Sequence, residues 1–135
     1  MAHIDYFFST FSPFTFFAGT RLEKIAGRQS ATITYKPLDL MALFSRTGGT
    51  PPKDRHPSRL EYRGQELRRH AKKLGIKINP MPPGYPPNPA PSSYALIAAQ
   101  KAGGGDLGAL VQAFGRACWI DEKNIAEDDV IAACL

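Results

Sequence analysis

The stretch that decides the fold runs from residue 4 to residue 14 and reads IDYFFSTFSPF. Strand-forming residues dominate positions 4–8, so this part predicts a short β-strand. Ser12 is a favourable helix N-cap, and Pro13 suits the first helical position because its missing N–H would have no partner there. Apolar residues then recur at helical spacing, which predicts one helix that begins at Pro13 and is closed by Gly27.

A second strand is predicted at residues 31–36, which read ATITYK. Two strands joined by a helix form a βαβ unit, and such units pair in parallel with a right-handed crossover. Only helices are predicted after residue 40, and two strands make a poor sheet on their own. We therefore expect a βαβ half at residues 1–40 and a helical part at 41–135. The chain looks cut before its remaining strands, so we expect either a fragment or a chain whose sheet a partner completes.

The later part of the chain begins with a basic segment. Residues 53–77 contain nine basic and three acidic residues, a balance of +6, and predict an amphipathic helix that ends at Gly75. Residues 80–91 hold seven of the 12 prolines, which predicts an extended, ordered loop. Ser92 or Ser93 is expected to cap the next helix, Asp106 the one after it, and an acidic turn at 126–129 to open a last helix.

Composition excludes several classes of protein. The 135 residues are 43% hydrophobic and 21% charged, which is typical of a globular domain and not of a disordered chain. The net charge of +5 permits anionic partners without requiring nucleic acid. No secretory signal or long apolar segment is visible, so a cytoplasmic protein is expected. Cys118 and Cys134 form no C-x-x-C pair and are interpreted as reduced and structural.

Two kinds of site are disfavoured by the motifs. The three histidines are scattered with no second ligand at metal spacing, so no metal site is expected. No glycine-rich loop follows the first strand, which argues against a Rossmann-type nucleotide site.

The turn around Ser12 is the strongest candidate site. Helix N-termini carry free N–H groups and a partial positive charge, so a hydroxyl there can donate a hydrogen bond to a bound thiolate or carboxylate. The alternative is structural, because serine before proline is also an ordinary N-cap. The residues of this turn leave both readings open.

Short motifs, taken in their order along nearly the whole chain, resemble those of a known family. They are DYFF at 5–8, FSPFTF at 11–16, ITY at 33–35, PLDL at 37–40, YR at 62–63, LGI at 74–76, NPMP at 79–82 and FGRACW at 114–119. This order is similar to that of the 2-hydroxychromene-2-carboxylate isomerases, which are related to kappa-class glutathione transferases and to DsbA-like thioredoxin-fold oxidoreductases. The resemblance implies an α/β fold: the N-terminal βαβ half of a thioredoxin-like fold with an α-helical insertion, and with the C-terminal half of the fold missing.

The resemblance also implies a cofactor and a reaction. Ser12 stands where redox relatives have the first cysteine of their motif, and Thr15 stands in place of the second, which argues against disulfide exchange. In the family the serine contacts the sulfur of glutathione, so Ser12 and Pro13 are the implied glutathione-binding residues and Ser12 the catalytic one. The family reaction is a cis–trans isomerisation of an aromatic pyruvate derivative in aromatic catabolism. The implied route adds the glutathione thiolate to the conjugated substrate, allows rotation about the resulting single bond and then expels glutathione.

Substrate contacts are implied for five residues. Lys53 and Arg55 precede the basic helix and are expected to bind the carboxylate of a small aromatic substrate. Tyr85 and Asn88, in the proline-rich loop, are expected to line the same pocket, although the arginine usual after the asparagine is missing. Trp119 is a candidate for the pocket wall or the core. The family is commonly dimeric, so a homodimer is expected, with no membrane or nucleic-acid partner.

Three other functions stay open at this point. One is a kappa-like glutathione transferase. Another is a non-catalytic thioredoxin-like module whose basic helix holds an acidic partner. The third is nucleic-acid binding through residues 53–77, which a shallow salt dependence of affinity would argue against.

Overall fold

The computed structural model describes residues 1–135, with two strands, seven α-helices and a one-turn 3-10 helix. The elements in chain order are β1 (His3–Phe8), α1 (Pro13–Ala18), α2 (Arg21–Arg28), β2 (Thr32–Pro37), α3 (Leu40–Thr47), the 3-10 helix (Pro52–Asp54), α4 (Pro57–Leu74), α5 (Ala90–Ala102), α6 (Leu107–Trp119) and α7 (Asp128–Cys134).

The sheet consists of β1 and β2, paired in parallel, as predicted. Because side chains alternate across a strand, one face carries Tyr6, Phe8 and Tyr35, whose rings pack on one another. On the opposite face, Asp5 forms an ion pair with Lys36 at 2.8 Å, and the Lys36 ammonium lies over the exposed ring of Phe7. The apolar face therefore fixes which side of the sheet the helices cover.

The single helix predicted from Pro13 to Gly27 is wrong. Helix α1 ends at Ala18, and α2 begins at Arg21. Gly19 adopts a φ of +60°, which ends the first helix and which a residue with a side chain would rarely adopt. Gly27, the predicted stop, lies inside α2.

Helix α6 is the centre of the core. Its Phe114 and Trp119 are completely buried, together with Leu67 of α4 and Leu96 of α5. Helix α6 packs against α1, α5 and α7. In this position α6 supports α1, the helix that follows the Ser12 turn.

The remaining helices follow their sequence signals with one exception. Gly75 ends α4 in a left-handed conformation, and the Asp106 side chain accepts a hydrogen bond from the Ala109 N–H at the start of α6. The expected cap at Ser92 or Ser93 is wrong, because α5 already begins at Ala90. Ser92 lies inside α5, where its buried hydroxyl is hydrogen-bonded to the Thr10 hydroxyl, so it does not cap the helix.

Two further observations concern the whole chain. None of its helices combines the length and the apolar character needed to cross a membrane. The predicted boundary at residue 40 stays a prediction. Helix α5, from beyond it, contacts β2, which lies before it.

Candidate functional site

The turn between β1 and α1 presents Ser12 at the start of a helix. Its backbone is extended, and its hydroxyl oxygen accepts a hydrogen bond from the Thr15 N–H at 3.4 Å. The hydroxyl is therefore an N-cap, as predicted. Because that bond uses only a lone pair, the Ser12 O–H is left to donate to another group.

Buried hydroxyls hold this turn in place. The Thr10 and Ser92 hydroxyl oxygens lie 2.8 Å apart, and both residues are buried. Ser92 also donates to the carbonyl of Pro89 at 3.2 Å, which ties the turn to the beginning of α5. The Ser9 hydroxyl is buried as well and has no hydrogen-bond partner in the structure.

A cavity of about 490 Å³ lies beside the turn, between α4 and the proline-rich loop. Phe11, the residue before Ser12, is part of its wall, whereas Ser12 itself is not. The apolar part of the wall includes Phe11, Met41, Leu60, Leu67, Met81 and Tyr85. Its volume falls in the range of small-molecule sites, and its wall suits a flat apolar ligand.

The charge at this cavity is entirely positive. Lys53, Arg63 and Arg68 line it, and no aspartate or glutamate does. None of these three cations takes part in an ion pair of the chain. The cavity therefore combines apolar walls with unpaired cations, which is the chemistry that an aromatic carboxylate needs.

The predicted carboxylate-binding pair is divided by the structure. Lys53 lines the cavity, but Arg55 does not. The Arg55 Nε donates to the carbonyl of Thr50 at 2.8 Å, and its guanidinium lies 5.8 Å from the centre of the Phe44 ring. Burial, with the nearby charges of Arg59 and Arg63, lowers the pKa of Arg55. This arginine fixes the loop before α4 and is not part of the cavity wall.

The other predicted contacts lie in three different places. Tyr85 lines the cavity, and the completely buried Trp119 lies behind it, with 5.2 Å between ring centres. Asn88 lines a second cavity of about 430 Å³, and its side-chain oxygen accepts from the Ala90 N–H at 3.1 Å. The two cavities share Phe11, Met41 and Pro86 in their walls.

Sequence reasoning missed Arg63 as a site residue. Its guanidinium donates to the Tyr85 hydroxyl at 3.2 Å and lies 5.9 Å from the centre of that ring. A signal was present, because Arg63 follows Leu60 by three residues and precedes Leu67 by four. That spacing places it on the inward face of α4.

The structure contains no group of three or more histidine, cysteine or acidic side chains that could hold a metal ion. Both cysteines are free. Burial raises the pKa of the Cys118 thiol to about 11, so this thiol is a packing group and not a nucleophile at neutral pH.

Comparison with known proteins places these features in context. Residues 3–135 match the model of the DSBA-like thioredoxin domain family. A curated 2-hydroxychromene-2-carboxylate isomerase from Pseudomonas putida is 33% identical over 76 residues, which are 56% of this chain and 37% of that protein. A solved structure of a 2-hydroxychromene-2-carboxylate isomerase superimposes with a TM-score of 0.74 at 26% identity. That superposition covers 98% of this chain and 63% of the solved one, so the chain spans less than two thirds of its relatives' length.

Proposed function

Because this chain belongs to the DSBA-like thioredoxin domain family, we propose that it acts in a glutathione-dependent isomerisation of the 2-hydroxychromene-2-carboxylate type. The two relatives described above carry that isomerase name. The observation that carries the proposal is the cavity of about 490 Å³, with apolar walls and three unpaired cations, next to the Ser12 turn. A neutral or cationic substrate would leave those cations without a partner.

The walls and the charge of the cavity support the proposed substrate class. Phe11, Leu60 and Tyr85 provide apolar and aromatic surface for a ring, and the positive charge of the wall offsets a carboxylate. A ligand seated between α4 and the proline-rich loop would displace water from the cavity, which would strengthen the attraction between a cation and a carboxylate. The substrate proposed is thus a small, planar, conjugated aromatic carboxylate.

The Ser12 turn fits glutathione in its chemistry. Residues 9–15 contain no acidic side chain that would repel a thiolate, and the Ser12 O–H is free to donate. Bound glutathione would supply the thiol nucleophile that a conjugated double bond requires before it can rotate. Donation from Ser12 stabilises the charged form of a sulfur placed there and so lowers its pKa. Thr15 has no thiol, so this turn cannot perform disulfide exchange by itself.

The test is calorimetric titration of the chain with glutathione, accompanied by ultraviolet titration of the bound thiol. We expect Ser12→Ala to raise the pKa of the bound thiol by about one to two units, because a hydrogen bond to a charged group contributes about 1.5–3 kcal/mol. Ser45→Ala is the matched control, since that exposed hydroxyl bonds only the carbonyl of Ala42 within α3. An unchanged thiol pKa in Ser12→Ala would remove Ser12 from the mechanism.

Activity is measured separately, as interconversion of 2-hydroxychromene-2-carboxylate with and without added glutathione. We expect catalysis only when glutathione is present, and a clear loss of rate in Ser12→Ala. Glutathione binding without any interconversion would favour a transferase or a non-catalytic binding module. Absence of glutathione binding would contradict the proposal.

A further inference from the structure

We propose that Arg63, held in orientation by Tyr85, binds the substrate carboxylate and decides the preference of the cavity for acids over neutral analogues. This inference rests on the proposed function, and it replaces the expectation that Lys53 and Arg55 perform this role. Its basis is the juxtaposition of a partly buried guanidinium without an ion-pair partner and a rigid aromatic stack.

The orientation of Arg63 is set by Tyr85. The guanidinium donates to the tyrosine hydroxyl at 3.2 Å and lies 5.9 Å from the ring centre. Tyr85 itself packs between Phe11 and the completely buried Trp119, with ring-centre distances of 6.1 Å and 5.2 Å. A cation fixed in this way loses little side-chain freedom when a ligand binds.

The donors of Arg63 are largely unused. A guanidinium has five N–H donors, and the side chain of Arg63 makes one hydrogen bond in the structure. No carboxylate of the chain forms an ion pair with it. Two N–H groups can therefore meet the two oxygens of a carboxylate, which is the arrangement that arginine favours over lysine.

The other cations of the region are less suited to the role. Lys53 is exposed in the 3-10 helix, so its flexible ammonium stays in water. Arg68 is exposed and forms no hydrogen bond or ion pair in the structure, so nothing fixes the direction of its guanidinium. Arg55 is held by the Thr50 carbonyl and the Phe44 ring. Only Arg63 combines cavity position, partial burial and a fixed orientation.

Gly64 adds to the fit of this site. It lines the cavity beside Arg63, and a Cβ placed on it would meet only the Arg68 guanidinium, at 3.5 Å. The missing side chain keeps the cavity open where a ligand would lie against α4. Helix α4 thus places the Arg63 guanidinium beside the open space that Gly64 leaves in the cavity.

The experiment measures the affinity of two probes by calorimetry: 2-hydroxycinnamate, an aromatic conjugated carboxylate, and 2-hydroxycinnamamide, its neutral isostere. We expect Arg63→Met to weaken binding of the acid by about 10- to 100-fold, the loss of one charge-assisted interaction, and binding of the amide by less than about twofold. Arg63→Lys is expected to keep the charge but to lose about fivefold, because a lysine cannot form the paired contact. Tyr85→Phe is expected to weaken acid binding by about threefold, since the ring stays and only the hydroxyl contact is lost.

Arg69→Met is the matched control, because Arg69 lies on the same helix, carries the same charge and pairs with Glu66 away from the cavity. It is expected to leave both affinities within about twofold. If Arg63→Met weakens the acid and the amide equally, the residue contributes packing alone and the inference is wrong. If Arg63→Met keeps full affinity for the acid while Lys53→Met or Arg68→Met loses it, another cation binds the carboxylate.

The outcome also separates this inference from the proposed function. Binding of the acid that is insensitive to Arg63 overturns only the assignment of the carboxylate. Failure of the wild-type chain to bind either probe overturns both. The far-ultraviolet circular dichroism and unfolding midpoint of each variant show that a lost affinity is not a lost fold.

Discussion

Helices α3 and α6 are both rich in apolar residues, yet α6 forms the core and α3 lines two cavities. Helix α6 buries eight residues, including Phe114 and Trp119, and it supports α1, α5 and α7. Helix α3 buries none, and it offers Met41 to the two cavities and Phe44 to Arg55. Apolar side chains thus build a packed interior in one case and an accessible wall in the other. The difference lies in what each helix meets in space.

The most direct way to break this comparison is to truncate one side chain from each helix. We expect Phe114→Ala to lower the free energy of unfolding by about 3–5 kcal/mol, because it leaves a cavity in a completely buried position. Met41→Ala, on the 41% exposed residue of α3, is expected to cost less than about 1 kcal/mol. Urea unfolding measures both. Equal losses would show that α3 belongs to the core after all.

The second prediction concerns two helical glycines. A Cβ on Gly115 of α6 would lie 2.5 Å from a ring carbon of Phe16, so Gly115→Ala is expected to destabilise the chain by about 1–3 kcal/mol. Gly27, inside α2, has open space around the same position, so Gly27→Ala should stabilise by about 0.5–1 kcal/mol. Thermal unfolding gives the sign of each change. A tolerated alanine at 115 would contradict the close approach of α1 to α6.

A smaller effect is expected at the hydroxyl pair that anchors the Ser12 turn. Ser92→Ala leaves the buried Thr10 hydroxyl without its partner, at a cost of about 1 kcal/mol. Ser93→Ala, at the neighbouring half-buried serine, is expected to change stability by less than about 0.5 kcal/mol. Chemical unfolding compares the two variants. If both behave alike, the turn is not held by this bond.

The last prediction concerns the pH dependence of stability that follows from the burial of Cys118 in α6. Burial raises the pKa of Cys118 from 9.0 to about 11 in the folded chain. A raised folded-state pKa contributes stability that is fully present below about pH 9 and is lost as the pH rises through about 11. We therefore expect wild-type stability to fall in this window, and Cys118→Ala to fall less steeply. Stability curves that stay parallel across the window would indicate that the thiol is open to solvent.

Much of the fold could be predicted from local signals. The strand-forming runs of β1 and β2, the Ser12 and Asp106 caps and the Gly75 stop are all features of neighbouring residues. The break at Gly19 was missed because apolar spacing continues across it into α2. The start of α5 was missed because Asn88, whose side-chain oxygen accepts from the Ala90 N–H, precedes the helix, and because proline is tolerated in a first helical turn.

The candidate site was less predictable for the same reason. Lys53 and Tyr85 line one cavity, but Arg63 joins them there only through contacts between α4 and the proline-rich loop. A count of basic residues cannot tell Arg55, which holds its own loop, from Arg63, which faces the cavity. Charge is visible in a sequence, whereas the direction of a guanidinium is decided by what it packs against.

The break at Gly19 has a consequence for how the chain can change. Helix α1 takes its position from α4 and α6, while α2 takes its own from β2. One straight helix would carry a tilt of the crossover directly to α1 and to Ser12. At the joint, the Gly19 carbonyl accepts a hydrogen bond from Gln112 of α6 at 3.2 Å, which holds the end of α1 against the core. Substitutions that tilt α2 are therefore expected to displace the Ser12 hydroxyl less than they would in one continuous helix.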